Sequence, residues 1–305
     1  MNRSNQEKWI ALKACVRAVW LFLSLVLIGQ SVGAQTSDLI DFYAKVQAQQ
    51  VMVAAHRGDW RNYPENSLPA IQSCIEMGVD VVEVDVRRTK DGHFVLMHDE
   101  TVDRTTNGRG RVGALTLADI RALRLKDKNG RLTDYAVPTL EEVTEITRDR
   151  IVVNLDKSAD HLDELLNRID SLDACYQFIL KANRQASFFA ERFTRTNHFP
   201  CIMPILSKTN QAQCIAFLSE AQPRIVELIG GSDTTSITGA ATLNQFRSSI
   251  CGIWYNSLFP AVSMGWDENK HTTQAWIWFI EHQAAVIQTD RPLELIQFCR
   301  DKGLK

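Results

Sequence analysis

The chain has 305 residues, of which 45% are hydrophobic, and its formal net charge is −2 at pH 7. That length and apolar fraction can fill one sizeable core, and a barrel of this length commonly forms a single domain. Because basic residues do not outnumber acidic ones, the composition argues against nucleic acid as a partner.

The first 34 residues are predicted to form a signal peptide. A basic start is followed by an apolar run over 18–29 and by small residues over 31–34, the pattern that precedes signal cleavage. The apolar run is shorter than the roughly 20 residues of a spanning helix, so no stable membrane anchor is expected after cleavage. We therefore expect a mature chain that begins at Gln35 and is periplasmic or secreted, with an uncleaved anchor as the alternative.

The cysteines after the signal segment lack the paired spacing of a zinc site. They are Cys74, Cys175, Cys201, Cys214, Cys251 and Cys299. Export would allow disulfides, whose pairing the sequence does not give, and buried thiols are an equal alternative.

Strand and helix patterns alternate along residues 35–305. In chain order we predict strand 51–55, helix 67–77, strands 79–87 and 94–97, helix 141–147, strand 151–156, helix 161–169, strand 178–180, helix 184–193, strand 202–206, helix 211–220, strand 224–229, helix 243–248, strand 252–254, helix 272–282, strand 285–288 and helix 293–302. About eight such units in about 250 residues favour an α/β fold of the (β/α)8 TIM barrel type.

One stretch interrupts this alternation. Residues 99–137 follow His98 directly and are rich in Thr, Arg, Gly and Asp, with Asn-Gly turn signals at 107–108 and 129–130. Loops of this length are commonly functional. We therefore expect a small insertion after the His98 strand that forms a cap beside the active site, within a single domain over 35–305.

Acidic residues share one face of the predicted strand 79–87. Strand alternation puts Glu83 and Asp85 on the face opposite the valines, and the valines are expected to pack on helices. In a parallel barrel the carboxylates then point inward, where like charges are costly unless a cation binds them. Oxygen ligands favour Ca²⁺ or Mg²⁺, and Asp156 at the end of the next predicted strand is expected to complete the set.

Two histidines follow apolar strands on either side of these carboxylates. His56 comes after strand 51–55 and His98 after strand 94–97, positions where a barrel displays catalytic groups. Two imidazoles can share the roles of base and acid in ester hydrolysis. Arg57 offers a forked guanidinium for phosphate oxygens. Glu65 is a further candidate metal ligand, or else a first-turn charge of a helix whose N-cap is Asn66.

These residues resemble the glycerophosphodiester phosphodiesterase family. The matching motifs are HRG at 56–58, PENS at 64–67, EVD at 83–85, TKDG at 89–92, HD at 98–99, DRTTNG at 103–108, VPTLEEV at 137–143 and QTDRP at 288–292. The C-terminal series of WYNSL at 254–258, DE at 267–268 and QTDRP at 288–292 is similar to an exported bacterial branch of the family. The resemblance implies a TIM barrel, a divalent cation, and hydrolysis of glycerophosphodiesters to glycerol 3-phosphate and an alcohol. It also implies that His56 and His98 are the acid–base pair.

One departure from the family's pattern concerns positive charge. The family ends its third strand with Glu, an apolar residue and Lys, whereas this chain has Asp156-Lys157-Ser158. Strand parity turns Lys157 outward, so we expect Lys181 on the next strand to face the phosphate. Trp254 and Asn256, near a late strand end, are expected to line the pocket, with Trp60 and Trp266 as weaker candidates.

Other functions remain compatible with the sequence. A lyase-type phospholipase would use the substrate's own hydroxyl as the nucleophile and form a cyclic phosphate. A catalytically inactive periplasmic binding protein would keep the barrel without its chemistry, but it would not need His56, His98, Glu83 and Asp85. The preferred head group, the choice of cation and the oligomeric state stay undetermined.

Overall fold

Parallel strands close into a barrel at the centre of the computed structural model, which describes residues 37–195, 202–207, 211–230 and 238–305. The strands are β1 Met52–Ala55, β2 Val81–Arg88, β3 Phe94–Leu96, β4 Val152–Asp156, β5 Phe178–Ala182, β6 Ile202–Ser207, β7 Ile225–Ile229, β8 Gly252–Ser257 and β9 Ala284–Thr289. Hydrogen-bonded neighbours follow the order β1-β9-β8-β7-β6-β5-β4-β2, and the pairing of β1 with β2 closes the ring. All of these pairs are parallel, which confirms the predicted (β/α)8 barrel.

Helices connect the barrel strands on the outside. The described helices are α1 Ser37–Gln47, α2 Leu68–Met77, α3 Leu117–Arg121, α4 Leu140–Thr147, α5 Leu162–Ser171, α6 Ala186–Arg195, α7 Gln211–Ala221, α8 Ala240–Ser248, α9 Glu268–Glu281 and α10 Pro292–Asp301. Among these described helices, none is long and apolar enough to cross a membrane. The predicted signal segment 1–34 lies outside the described residues.

Helix α1 was not predicted, and it covers the N-terminal end of the barrel. Its residues Leu39, Phe42 and Val46 belong to the same buried cluster as Met52 on β1 and Trp254 on β8. The inward-facing side chains at the start of the strands would otherwise meet water, so α1 completes the lower half of the core. The helix leaves only the opposite end of the barrel as a mouth.

The segment between β2 and α4 is an excursion from the barrel with a small core of its own. Strand β3 pairs antiparallel with β2, with Val86 opposite Leu96, and is not a barrel strand. A separate cluster of buried side chains holds the excursion together; it consists of Val95, Met97, Val102, Val112, Ile120, Leu125 and Val137. Strand β2 extends beyond its pairing with β4, and β3 runs antiparallel to this extension. The chain therefore returns towards Asp85 before it reaches His98.

The cysteines that the structure describes are free thiols. They are Cys74, Cys175, Cys214, Cys251 and Cys299. Burial raises the pKa of the thiols of Cys214 and Cys299 to about 11, so both are protonated at neutral pH. Cys201 lies outside the described residues, and among the described ones the structure contains no disulfide.

A buried carboxylate ties both ends of the described chain to the closed end of the barrel. Asp80 accepts hydrogen bonds from Nζ of Lys45 at 2.8 Å and from the backbone N–H of Val53 at 3.0 Å, and it also pairs with Lys305. Burial alone would raise the pKa of Asp80, but Lys305, Lys45 and the Val53 N–H together lower it below its ordinary value. The ionised carboxylate therefore stabilises the fold.

We predict that Asp80→Asn lowers the free energy of unfolding by roughly 1–3 kcal/mol at pH 7, the range for a charged hydrogen-bond partner. A carboxylate whose pKa is lowered by folding contributes stability above its unfolded pKa and loses it as the pH falls through the folded value. The difference between wild type and variant should therefore shrink below about pH 4, near the pKa of a free Asp. Urea unfolding across pH measures it. The exposed Asp41→Asn on α1 is the control, and an equal loss in both variants would contradict the assignment.

Candidate active site

Three carboxylates meet inside the barrel near its mouth. Glu83 and Asp85 lie on β2, and Asp156 ends the neighbouring β4, where the register pairs Asp85 with Asp156. One carboxylate oxygen from each residue lies within 4.8 Å of the others. The valines of β2 at the alternate positions 82, 84 and 86 pack into the outer core with the helices, as the alternation predicts. The structure thus brings together three of the four residues that the sequence suggested as metal ligands.

These carboxylates repel one another when no cation lies between them. Glu83 and Asp85 are each 1% exposed, and burial together with the charge of Asp85 raises the pKa of Glu83 to about 7. Burial acts in the same direction on Asp156, but Lys181, Lys157 and a backbone N–H lower its pKa to about 2. A divalent cation bound between these oxygens would relieve the repulsion that raises the pKa of Glu83. Carboxylate oxygens are the ligands that hard cations such as Ca²⁺ and Mg²⁺ prefer.

The turn after β1 aims its backbone at these carboxylates. Arg57 has a positive φ of 56°, and its N–H donates to Oε2 of Glu83 at 2.9 Å. Gly58 has a φ of 74°, and a Cβ there would lie 2.9 Å from the Cβ of Ala70. Only glycine avoids both the left-handed strain and the clash with α2. The Arg57-Gly58 pair therefore places a backbone donor at Glu83.

Asn66 acts as a second support for the carboxylates rather than as a helix cap. Its Nδ2 donates to Oδ2 of Asp85 at 2.9 Å, and its Oδ1 accepts the backbone N–H of Asp85 at 2.9 Å. The N-cap of α2 is Ser67, whose Oγ accepts from the N–H of Ala70 at 3.3 Å. The expectation that Asn66 caps this helix was wrong, because its side chain holds Asp85 in a fixed rotamer instead.

His56 is oriented by an aspartate from the last barrel strand. Its Nδ1 lies 2.7 Å from Oδ1 of Asp290, which also accepts from Nε1 of Trp60 at 2.6 Å. Burial would lower the pKa of His56, but the Asp290 hydrogen bond and the charge of Glu83 outweigh it and raise this pKa. Because an ionised carboxylate only accepts, Nδ1 donates and the Nε2 of neutral His56 keeps a free lone pair. Sequence reasoning missed Asp290, although it follows a predicted strand within a matching motif.

His98 has an equivalent arrangement on the excursion. Its Nδ1 lies 2.7 Å from Oδ1 of Asp99, and its backbone carbonyl accepts from Nη2 of Arg87 at 2.7 Å. Arg104 donates to Asp99 through Nε at 2.7 Å, and this contact, with His98, holds the pKa of Asp99 well below its usual range. Each predicted catalytic histidine is therefore held by an aspartate. Sequence reasoning missed the roles of Asp99 and Arg104.

Glu65 does not join the carboxylate group. Its two oxygens accept from Arg104 at 2.7 and 2.8 Å, and Oε1 also accepts from Nη1 of Arg57 at 3.2 Å. Burial would raise the pKa of Glu65, but the two arginines lower it. The expectation that Glu65 is a metal ligand needs correction, because both oxygens face guanidinium groups. Glu65 instead links the turn after β1 to the excursion.

The guanidinium of Arg57 lies beside the carboxylates. Its Nε lies 3.6 Å from Oδ2 of Asp85, and this buried nitrogen has no hydrogen-bond partner among the described residues. This nitrogen therefore faces Asp85, while the Arg57 side chain also lines a cavity beside His56. The role of Arg57 in phosphate binding stays a prediction.

Lys181 and Asn256 lie in a buried layer of the barrel interior. Nζ of Lys181 lies 3.2 Å from Oε1 of Glu227, and the same oxygen accepts from Nδ2 of Asn256 at 2.8 Å. Burial would lower the pKa of Lys181, but Glu227, Asp156 and Glu83 raise it well above its usual value. Sequence reasoning missed Glu227, whose signal was one acidic residue in an otherwise apolar strand. The lysine therefore points inward, towards the acidic residues.

Two expectations about side-chain direction were wrong. Trp254 is fully buried in the cluster that α1 forms with the barrel at its closed end, so it does not reach the mouth of the barrel. Lys157 does not turn outward by strand parity, because β4 ends at Asp156 and Lys157 takes a left-handed φ of 60°. Its Nζ lies 3.7 Å from Oδ2 of Asp156. Ser158, which occupies the position of the family's lysine, thus has Lys157 beside it in the chain and Lys181 beside it on the neighbouring strand.

A cavity of about 500 Å³ opens beside His56 and Arg57. Its other walls come from Trp60 and from the excursion, including Lys126 and Lys128. The mouth of the barrel therefore combines two histidine–aspartate pairs, an arginine, three neighbouring carboxylates and space for a larger ligand.

The sequence and the fold match known families. The family model described as the glycerophosphoryl diester phosphodiesterase family matches residues 56–220, and a model described as a domain of unknown function matches residues 202–299. A glycerophosphodiester phosphodiesterase of Caldanaerobacter subterraneus is 47% identical over 109 residues, which cover 35% of this chain and 45% of that protein. Glycerophosphodiester phosphodiesterase 1 of Mus musculus is 44% identical over 112 residues, which cover 35% of this chain and 34% of that protein. The chain thus matches less than half the length of these curated relatives.

The fold is similar to that of a solved structure described as a glycerophosphoryl diester phosphodiesterase from Parabacteroides distasonis. The TM-score is 0.73 at 22% sequence identity, covering 88% of this chain and 94% of that chain. At this identity the likeness concerns the fold alone.

We predict that a divalent cation stabilises the protein through Glu83, Asp85 and Asp156. After exhaustive chelation, adding Mg²⁺ or Ca²⁺ at about 100 times its Kd should raise the unfolding free energy by about 2.7 kcal/mol. Glu83→Gln should lose this response, while its metal-free form should be at least as stable as metal-free wild type because one buried repulsion is gone. Thermal unfolding with and without cation measures both. Asp160→Asn, an exposed carboxylate just after β4, is the control, and an undiminished response of Glu83→Gln would contradict the site.

Proposed function

Because the chain belongs to the glycerophosphoryl diester phosphodiesterase family, we propose that it hydrolyses glycerophosphodiesters to glycerol 3-phosphate and an alcohol. The observation that carries the proposal is the pair of histidine–aspartate contacts, each 2.7 Å long, at the mouth of a barrel that also holds three carboxylates. The names of the curated relatives support the same reaction.

The carboxylates are proposed to hold one divalent cation, Ca²⁺ or Mg²⁺. Glu83, Asp85 and Asp156 offer hard oxygen ligands within 4.8 Å of one another, and the raised pKa of Glu83 is relieved when a cation neutralises the group. Such an ion would polarise the phosphate and offset the negative charge of the transition state. Asn66 and the backbone of Arg57 keep two of these carboxylates in place before any ion binds.

Proton transfer is assigned to the two histidines. One imidazole takes a proton through its free Nε2 from the attacking hydroxyl, whose oxygen forms the new P–O bond. The other imidazole, protonated, gives its proton to the leaving oxygen, which keeps the electron pair of the broken P–O bond. Asp290 and Asp99 fix the imidazole rings through Nδ1, so that Nε2 is the nitrogen that faces the reaction. Water as nucleophile gives glycerol 3-phosphate directly.

Arg57 and Lys181 are proposed to hold the phosphate charge. Arg57 lines the cavity, and its guanidinium can donate to a nonbridging oxygen of a phosphate bound there. Lys181 carries its charge beneath the carboxylates, where it offsets Asp156 and Glu83 and attracts an anion bound above them. Asn256 orients Lys181 indirectly through their shared partner Glu227.

The proposal includes a place of action outside the cytoplasm. Its support is the basic start, the apolar run and the small-residue cleavage pattern within residues 1–34. The mass of the protein isolated from its native host tests this assignment, because an intact Met1 would contradict it.

We predict that His56→Ala and His98→Ala each lower kcat by at least about 10²-fold, the lower end of general acid–base contributions. The measurement is enzymatic detection of glycerol 3-phosphate released from glycerophosphocholine and from glycerophosphoinositol. His93→Ala, an exposed histidine on the excursion, should retain wild-type kcat. If either active-site variant keeps a kcat near that of wild type, the histidine concerned is structural.

We predict that removing the charge of Lys181 raises KM or lowers kcat and leaves metal affinity nearly unchanged. Lys181→Met alone leaves Glu227 as a buried charge without an ion-pair partner, which costs about 3–5 kcal/mol of stability. The double variant Lys181→Met/Glu227→Gln removes both charges and keeps the fold comparable with wild type. Steady-state kinetics of this double variant measure kcat and KM, and cation titration measures its metal affinity. Unaltered kinetics would show that Lys181 serves only to neutralise Glu227.

A further inference from the structure

We propose that the cavity beside His56 selects diesters whose leaving alcohol carries a negative charge, and that Lys126 and Lys128 make this selection. The inference rests on the proposed phosphodiesterase function and specifies its substrate class. It concerns the alcohol because glycerol 3-phosphate is common to all of these diesters, whereas the alcohol differs between them.

The cavity is large enough for a head group. Its volume of about 500 Å³ lies within the range of pockets that bind whole small molecules, and far exceeds the needs of one glycerol group. Trp60 and Phe259 provide two aromatic walls, and the excursion provides the wall opposite His56. Trp60 is fixed by the same Asp290 oxygen that orients His56, so this wall keeps a constant position relative to the reacting groups.

Most charges that line the cavity already have partners. Arg57 and Arg104 both donate to Glu65, and Asp290 accepts from His56. These groups neutralise one another locally, so they give the cavity little preference for the charge of a head group.

The two lysines and Asp127 between them are the charged lining residues for which no side-chain ion pair is found among the described residues. Nζ of Lys126 donates to the carbonyl of Asp103 at 3.2 Å, and Nζ of Lys128 to the carbonyl of Arg61 at 2.5 Å. No carboxylate of the described residues lies within 4.0 Å of either ammonium group. Each ammonium has three donors, so donors remain for a ligand.

The acidic residue between them, Asp127, also lines the cavity and offsets only one of their two positive charges. Oδ1 of Asp127 accepts the backbone N–H groups of Asn129 and Arg131, both at 2.9 Å. Gly130 adopts a φ of 79° and donates to the carbonyl of Asp127 at 2.9 Å, which closes a tight turn. Asp127 therefore shapes the turn that presents the lysines, and the cavity keeps an excess of positive charge.

The aromatic walls suggest a competing outcome. Trp60 and Phe259 could attract a quaternary ammonium such as choline through cation–π contacts. The two ammonium groups repel that cation and attract a phosphate, and an anion also gains hydrogen bonds from their free donors. Charge and hydrogen bonding therefore favour an anionic head group over choline.

The test compares substrates that differ in one charged group. The kcat/KM of wild type is measured for glycerophosphoinositol, for the same diester carrying a phosphate on its inositol ring, and for glycerophosphocholine. Two exposed charges should give about a 10-fold preference for the phosphorylated diester at low salt, which weakens at high ionic strength. Lys126→Gln/Lys128→Gln should bring this ratio to about 1, and Lys128→Glu should lower it further.

Lys90→Gln, an exposed lysine of the same excursion that does not line the cavity, should leave the ratio unchanged. Thermal unfolding of each variant shows whether its fold is retained, and the single Lys128→Glu change keeps the test valid if the double variant is unstable. A wild-type preference for glycerophosphocholine, or a ratio that the lysine variants do not alter, would overturn the inference while the phosphodiesterase function stands. Failure to hydrolyse any of the three diesters would instead contradict the proposed function on which the inference rests.

Discussion

The meeting of three carboxylates at one end of the barrel, two of them buried and one half-buried, is the constraint on which the rest of the site depends. Glu83, Asp85 and Asp156 come from adjacent strands, and their oxygens lie within 4.8 Å of one another. Such a group is stable only with compensation, which the protein supplies through Asn66, the backbone of Arg57 and the buried Lys181. The pKa of Glu83 is still raised, because burial and the charge of Asp85 outweigh this compensation. A cation bound between the carboxylates would supply the remaining compensation.

Barrel closure also determines how the catalytic groups are assembled. Pairing of β1 with β9 brings Asp290, from near the C-terminus, to His56, and the antiparallel return of β3 brings His98 towards Asp85. Arg104 then joins the excursion to the first turn through Glu65. His56 is thus held by Asp290 after the last strand and His98 by Asp99 on the excursion, and the Arg104–Glu65 contact links the two.

Much of the architecture could be predicted from sequence because it follows local rules. Strand alternation put Glu83 and Asp85 opposite the valines, and the repeated strand–helix pattern indicated a barrel. Other features depend on contacts between residues far apart in the chain, which periodicity does not report. Glu65 was expected among the metal ligands, but its partner Arg104 lies 39 residues away. Trp254 was expected at the mouth, but the unpredicted helix α1 buries it at the closed end. Glu227 on β7 contacts Lys181 on β5, the second strand along in the barrel and 46 residues away in the chain.

We propose that turnover requires one cation held by the three carboxylates. The most direct measurement is glycerol 3-phosphate release from a glycerophosphodiester by exhaustively chelated protein, followed by titration with Mg²⁺ or Ca²⁺ under tight-binding conditions. We expect no release by the metal-free protein and a linear recovery of activity that reaches its maximum at one equivalent of cation. Full turnover by the metal-free protein would contradict a cation requirement, and recovery that needs two equivalents would contradict a single-cation site.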